Sequence, residues 1–214
     1  MSPETTARDR LRDAAIETFA RRGLRATLRE IAADAGVTAG LVTHHFGSRD
    51  ALRAACDDEV LRRVRALNED GLARSPEEQI AMIGELDEQG ATMAYALRLI
   101  REGGAAARGF LQRMVLDATG YLESAVAAGI VRPSRGDPTL RARYLVANQL
   151  GGLLLQADLL GMDLADGASL VRRIAEDTAF ISLELYTEGL LADRSLLERY
   201  LVAAERPREP EESA

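Results

Sequence analysis

No lysine, no tryptophan, one cysteine and two histidines occur in these 214 residues, and most of these scarcities exclude a class of chemistry. The single cysteine, Cys56, rules out an intrachain disulfide and fits a reducing cytoplasm. With no second thiol to resolve an oxidised sulfur, it reads as a buried helix residue and not as a redox sensor. The two histidines, His44 and His45, are adjacent. On a helix they point about 100° apart and cannot form the i, i+4 pair that grips a metal, so no metal or cofactor is expected. There is also no glycine-rich phosphate loop opening a helix, no G-x-S-x-G elbow and no Cys/His cluster, which leaves an enzyme reading without a recognisable site. The most apolar run, Leu150 to Leu160, is short and interrupted by Gln156 and Asp158, too little to span a bilayer; the opening MSPETTARDR is polar. These features predict a cytoplasmic protein with no membrane partner. Sustained period-two alternation is missing as well, and the expected fold class is all-α.

What is present is mostly charge. All 27 basic residues are arginine, a pattern that reflects coding bias more than chemistry, and 34 acidic residues bring the net charge to −7. Such a balance argues at first against nucleic acid. The charge is unevenly spread, however: residues 1–50 carry eight arginines and seven acidic residues, a net +1, whereas residues 51–214 carry 19 and 27, a net −8. Arg8, Arg10, Arg12, Arg21, Arg22, Arg25, Arg29 and Arg49 need only share one side to make a phosphate-facing surface.

Within that relatively basic part, Thr27 to Phe46 reads TLREIAADAGVTAGLVTHHF and has the spacing of a helix-turn-helix. Thr27 and Glu30 make a capping box for a helix from Leu28, whose inner face is Leu28, Ile31, Ala32 and Ala35. Gly36 ends it and Val37 plugs the corner. Thr38 caps a second short helix with Val42 and Phe46 inward. Gly40 and His44 then face out, flanked by Leu41 and Thr43, a surface small enough to enter a major groove. The spacing alone also fits an ordinary helical corner with an exposed polar side.

These residues resemble the tetracycline-repressor (TetR) family of one-component transcription regulators. The resemblance runs from about Arg8 to Leu52 and is carried by Thr27, Ile31-Ala32, Ala35-Gly36-Val37, Gly40, His45-Phe46 and Ser48-Arg49-Asp50-Ala51-Leu52. The family usually has a tyrosine, commonly a phosphate contact, where this chain has Thr43. The resemblance implies a three-helix DNA-binding domain followed by a helical ligand-binding and dimerisation domain. On the DNA side it makes Arg29, Thr38, Gly40, Leu41 and His44 candidates for base readout and Thr27, Thr43, His45 and Arg49 candidates for backbone positioning.

Along the rest of the chain, a first helix is expected from Thr5 to Arg22, and one from Ser48 to about Asn68 would connect the two parts. Further helices are expected over Pro76–Gln89, Ala91–Glu102, Ala105–Ala128, Pro138–Leu160, Ala168–Leu191 and Ser195–Ala204. The corresponding organisation is a DNA-binding domain over 1–47, a connecting helix over 48–68, a helical domain over 69–205 and a disordered tail over 206–214. Leu140, Ala147, Gly151 and Leu154, with Ile174, Thr178, Ile181 and Leu185, recur at steps of three and four with small residues between them. These stripes are either internal core or, as the resemblance implies, the seam of a homodimer. Met82, Tyr95, Leu99, Phe110, Met114, Tyr121, Tyr144, Asn148 and Gln149 supply the adaptable apolar groups and polar tips of a sensor cavity, and a mostly apolar, uncharged small-molecule effector is expected. The expected function is a repressor that binds a near-palindromic double-stranded operator as a homodimer and is released by that effector. Two alternatives remain at this point: a helical small-molecule binding protein without a DNA role, and an uncharacterised enzyme.

Overall fold

A computed structural model of the chain describes residues 6–75, 77, 78 and 89–204, in which nine helices and no strand occur. The tail from 206 on, Met82 and most of the helix expected from Pro76 lie outside the described residues. The chain divides into two compact units, residues 1–176 and 177–214.

Side-chain caps set most of the early boundaries. Thr6 and Asp9 form a capping box that starts α1 (Ala7–Arg22) two residues later than the hydrophobic pattern suggests. Thr27 accepts from the Glu30 amide and the Glu30 carboxylate accepts from the Thr27 amide at 2.7 Å, starting α2 (Leu28–Asp34). Gly36, at φ +67°, turns the chain, and the amide of Val37 donates to Ala32 O at 2.9 Å to close the corner. Thr38 caps α3 (Ala39–Phe46) and Ser48 caps α4 (Arg49–Ala73).

α4 outruns its expected end at Asn68 and passes straight through Gly71. Arg65 reaches Glu69 at 2.8 Å and Arg74 reaches Asp70 at 2.7 Å, and these i, i+4 pairs support the added turn. Leu52, Cys56, Val60 and Leu61 carry its buried face, and Ala51 is exposed. Ser75 makes a capping box with Glu78.

α5 (Gly90–Glu102) and α6 (Gly104–Ala127) meet at Gly103 and Gly104, both at positive φ. Asp137 caps α7 (Pro138–Leu160), with proline in its first turn. α8 (Gly167–Thr187) stops short of the expected Leu191, two residues before Gly189 at φ +86°, and α9 spans Ser195–Ala204. In residues 177–214 Phe180, Leu183, Tyr186, Leu196 and Tyr200 are exposed.

α5 organises residues 1–176. Ala94, Tyr95, Ala96, Leu97 and Leu99 are all at most 1% exposed, so the helix is apolar nearly all round and buried on both sides. Tyr95, Ala96 and Leu99 join the core of the first four helices, with Phe19, Ile31, Val42, Phe46, Leu52 and Val60. Leu97 joins a second core with Leu150, Ala157, Leu164, Leu170 and Ile174. The three-helix head is thus tied to the helical domain through α5 as well as α4.

Candidate nucleic-acid interface and sensor cavity

On α3 the apolar side chains Val42 and Phe46 are buried, and Thr38, Gly40, Leu41, Thr43 and His44 face solvent. His45 is half-buried, its ring 5.5 Å from that of His44. A β-carbon at Gly40 would meet nothing nearer than Thr38 Oγ1 at 3.9 Å, so the protein's own packing does not require glycine there. The hydroxyl of Thr43 donates to Ala39 O at 3.0 Å and so turns back on its own helix. Thr27 is engaged with Glu30 on both sides of its hydroxyl, and Thr38 Oγ1 accepts from the Leu41 amide.

The arginines of the head do not act as one basic surface. Arg21 and Arg22 converge on Asp34 at 2.5 and 2.9 Å. The hydrogen bond from Arg22, followed by those from Arg21 and Thr18, outweighs desolvation and holds the Asp34 carboxyl far below the usual carboxylate range. Arg12 bridges Asp9, Asp13 and Glu59, and Arg63 joins Asp13 to Glu59, which fastens α1 to α4. Burial works to raise the Glu59 carboxyl, but the Arg62 and Arg63 guanidiniums hold it down at about 2. Arg49 donates to Ala26 O at 2.9 Å and also to Leu24 O, so its guanidinium pins the turn that leads into Thr27 and comes no nearer than 4.0 Å to Asp50. Arg8 lies over the Phe46 ring at 4.7 Å. Arg25 and Arg29 are exposed and form no ion pair among the described residues.

The residues expected to hold an effector separate into three groups. Met114, Tyr121 and Gln149 line one cavity of about 110 Å³, together with Met93, Val146, Leu150 and Leu153. Tyr95, Leu99 and Phe110 do not; they are at most 3% exposed, in the core shared with the head. Tyr144 and Asn148 face outward. The packing of α5 against α1 explains the correction. Tyr95 meets the edge of Phe19 at a centroid distance of 6.0 Å and donates its hydroxyl to Asp57 at 2.6 Å, while the Arg53 guanidinium lies 5.5 Å from the Tyr95 ring. Burial, with Asp57 beside it, raises the tyrosine hydroxyl far above its ordinary range, so it acts as a neutral donor. Nearby, Arg98 on α5 donates to Ala20 O at the end of α1 at 2.7 Å and pairs with Asp163 at 3.3 Å.

Sequence reasoning also missed the wall formed by α4: Leu61, Val64 and Leu67 line the same cavity. They recur at steps of three, and that spacing is the signal the sequence offers. Of the expected dimer stripes, Leu140 and Ala147 are exposed, Gly151 is partly buried, and Leu154 and Ile174 belong to the internal core of α7 and α8. Thr178 is partly buried, while Ile181 and Leu185 are exposed. Cys56 is fully buried, and burial pushes its thiol up to about 12.

A three-helix head whose short third helix exposes small and polar side chains, coupled by two helices to a cavity, has counterparts among known proteins. Residues 11–56 match the model for bacterial regulatory proteins of the tetR family, and residues 87–192 match the tetracyclin repressor-like C-terminal domain. Over 206 residues the chain is 42% identical to the HTH-type transcriptional regulatory protein RaaS of Mycobacterium tuberculosis, with 96% of each chain covered. Among solved structures it is similar to SmeT, the repressor of the Stenotrophomonas maltophilia multidrug efflux pump SmeDEF, at 25% identity and a TM-score of 0.52, covering 81% of this chain and 90% of that one. PfmR, a TetR family transcriptional regulator from Thermus thermophilus, shares the fold at 20% identity and a TM-score of 0.52, covering 88% and 100%. No described helix is long and apolar enough to cross a membrane. Two family models in the order N-terminal then C-terminal domain, together with a relative matched almost end to end, give the conclusion: the chain belongs to the TetR family of DNA-binding transcription regulators.

Proposed function

We propose that the protein is a ligand-responsive repressor that binds a near-palindromic operator as a homodimer and leaves it when a small molecule enters the cavity between α4, α5, α6 and α7. The observation that carries this reading is that α4 and α5 each do two jobs. α4 begins at the recognition helix and lines the cavity with Leu61 and Val64. α5 lines it with Met93 and Ala96 while Tyr95 packs against α1. A ligand that spreads the cavity therefore has a path of packed side chains to the head.

The void supports a switch of this kind. At about 110 Å³ it is below the ~300–1,000 Å³ of sites for drug-sized ligands. Binding such a ligand has to select a more open arrangement of these helices, and the compact one described here is the natural DNA-bound partner.

At the DNA, Arg29, Thr38, Gly40, Leu41 and His44 are assigned to base readout and Thr27, Thr43 and His45 to the backbone, with Arg49 acting through the turn it pins. Leu140, Tyr144 and Ala147 of α7 leave an exposed stripe, continued at Leu155 and Leu159, that suits a two-fold helix seam and would set two recognition helices about one DNA turn apart.

Selection of random duplex DNA by the purified protein, followed by ligand titration of the free and operator-bound forms, tests the proposal. An enriched near-palindrome bound by a dimer is expected, with effector affinity lowered by the same factor by which effector weakens DNA. Equal effector affinity in the two forms would refute the switch, and absence of any enriched sequence at low salt would refute the regulator.

A further inference from the structure

Taking this cavity to be the sensor site proposed above, we infer that its effector is a lipophilic monocation, with an ammonium-type group donating to the Asp117 carboxylate beside the Tyr121 ring. The walls are apolar and adaptable, with Val64, Met93, Met114 and Leu153 among them. The polar groups gather at Arg65, Asn68, Asp117, Tyr121 and Gln149. Asn68 donates to Val64 O on its own helix at 2.8 Å. The remaining charges are one of each sign, and their surroundings differ.

Arg65 is already neutralised. Its Nε donates to Glu69 at 2.8 Å, and that bond, before any effect of Asp117, raises its pKa. Asp117 is the poorly served partner: 28% exposed, with Arg65 Nη1 at 3.8 Å as its only ion pair and no hydrogen bond accepted among the described residues. A carboxylate that is partly desolvated and weakly paired gains most from a new donor. Tyr121 lies one helical turn further along α6 and lines the same cavity. Burial, and then the Asp117 charge, raise its hydroxyl, which therefore stays protonated. A carboxylate with an aromatic face one turn away is the chemistry that holds an organic cation.

The other charge classes fit less well. An anion would face Asp117 and would have to draw Arg65 from Glu69; a neutral ligand could donate at most an uncharged hydrogen bond to Asp117 and would leave its charge uncompensated. A cation takes over Asp117 and leaves Arg65 on Glu69. It thereby severs the Arg65–Asp117 link between α4 and α6, which couples recognition of the charge to release of the helix that carries the DNA-binding head.

The test uses the full-length protein and three calorimetric probes sharing one ring system: naphthylmethylammonium, naphthylmethanol and naphthoate. The ammonium probe is expected to bind at least about tenfold more tightly than either of the others, the scale of one hydrogen bond to a charged group. Asp117→Asn, which keeps shape at a partly exposed position, should remove that preference while leaving naphthylmethanol affinity within about threefold. Arg65→Gln, which removes the competing cation, should strengthen ammonium binding. Equal affinity for the three probes, tighter naphthoate, no ammonium binding, or a preference that survives Asp117→Asn would each overturn the assignment. Should Asp117→Asn melt abnormally, the direction of the Arg65→Gln effect decides. Charge preference without any selected operator would sink the regulator reading alone, whereas an operator released equally by all three probes would sink this one alone.

Discussion

Replacing Tyr95 with phenylalanine separates two roles for one side chain. If Tyr95 joins the head to the sensor domain, Tyr95→Phe removes the 2.6 Å hydrogen bond to Asp57 but keeps the ring and its edge contact with Phe19. A hydrogen bond to a charged acceptor contributes about 1.5–3 kcal/mol. Asp57 keeps Arg53 at 3.4 Å and is 19% exposed, so it is not stranded without a partner, and the low end applies: about 1.5 kcal/mol. For a chain of this size that corresponds to a fall in melting temperature of roughly 3–6 °C. The assay is urea unfolding at fixed protomer concentration, because dimerisation would otherwise enter the midpoint. Asp57→Asn and the double variant complete a cycle in which the two changes should couple by about 1 kcal/mol. A loss below about 0.5 kcal/mol that simply adds to that of Asp57→Asn would refute the junction. So would unchanged stability with weakened effector binding, which would return Tyr95 to the ligand wall.

Gly40→Ala should leave stability equal or raise it by up to about 1 kcal/mol, because the helix gains propensity and the nearest atom to the new methyl is 3.9 Å away. Operator affinity should nonetheless fall at least about tenfold, and undiminished binding in a filter or anisotropy assay would show that α3 does not approach the DNA closely at this point. Glu59, held at about 2 in the folded protein, contributes stability that is present above its unfolded pKa of 4.5 and is lost as pH falls through about 2. Melting followed from pH 6 down to about 3 should therefore show the wild type losing more stability than Glu59→Gln; parallel curves would contradict the Arg12–Glu59–Arg63 network. Cys56, with its thiol at about 12, should resist an aromatic disulfide reagent at pH 8 in the native protein and react rapidly in urea, and fast native reaction would disprove its burial.

The head was legible because its signals are local. Thr27 with Glu30, Gly36, Thr38 and Ser48 lie within three or four residues of what they cap or turn, and each boundary they set is set by those same atoms. The role of Tyr95 was not legible, because an aromatic at helical spacing looks the same facing a cavity or a neighbouring helix. The partners that decide the matter, Phe19 and Asp57, are distant in sequence. Leu154 and Ile174 could be read as seam or core for the same reason: their stripes are apolar on the core side too, and only the packing of α7 and α8 shows Ile174 buried and Leu154 partly buried against the core. The Leu61, Val64 and Leu67 wall was not legible either, since nothing in one helix reveals a void beside it.

Charge shows the same limit and leads to the last prediction. Counted from sequence, the head has eight arginines, and a dimer using all sixteen against phosphates would have a salt dependence near −14, at about 0.9 per phosphate. In the structure Arg21 and Arg22 are both held by hydrogen bonds to the one Asp34 carboxylate, Arg12 is paired with three carboxylates, Arg49 is bound to backbone carbonyls, and Arg10 is also engaged within the protein. Arg25 and Arg29 have no ion pair among the described residues, and Arg8 keeps its charge over the Phe46 ring. Counting those three in each protomer gives six phosphates, so the logarithm of operator affinity against the logarithm of salt should fall with a slope of about −4 to −6. Arg29→Gln should reduce that slope by about 2 in the dimer, and Arg21→Gln should leave it unchanged. A slope steeper than about −10 would mean that the Asp34 and Glu59 networks open on DNA, and would overturn the division of these arginines into structural and DNA-facing groups.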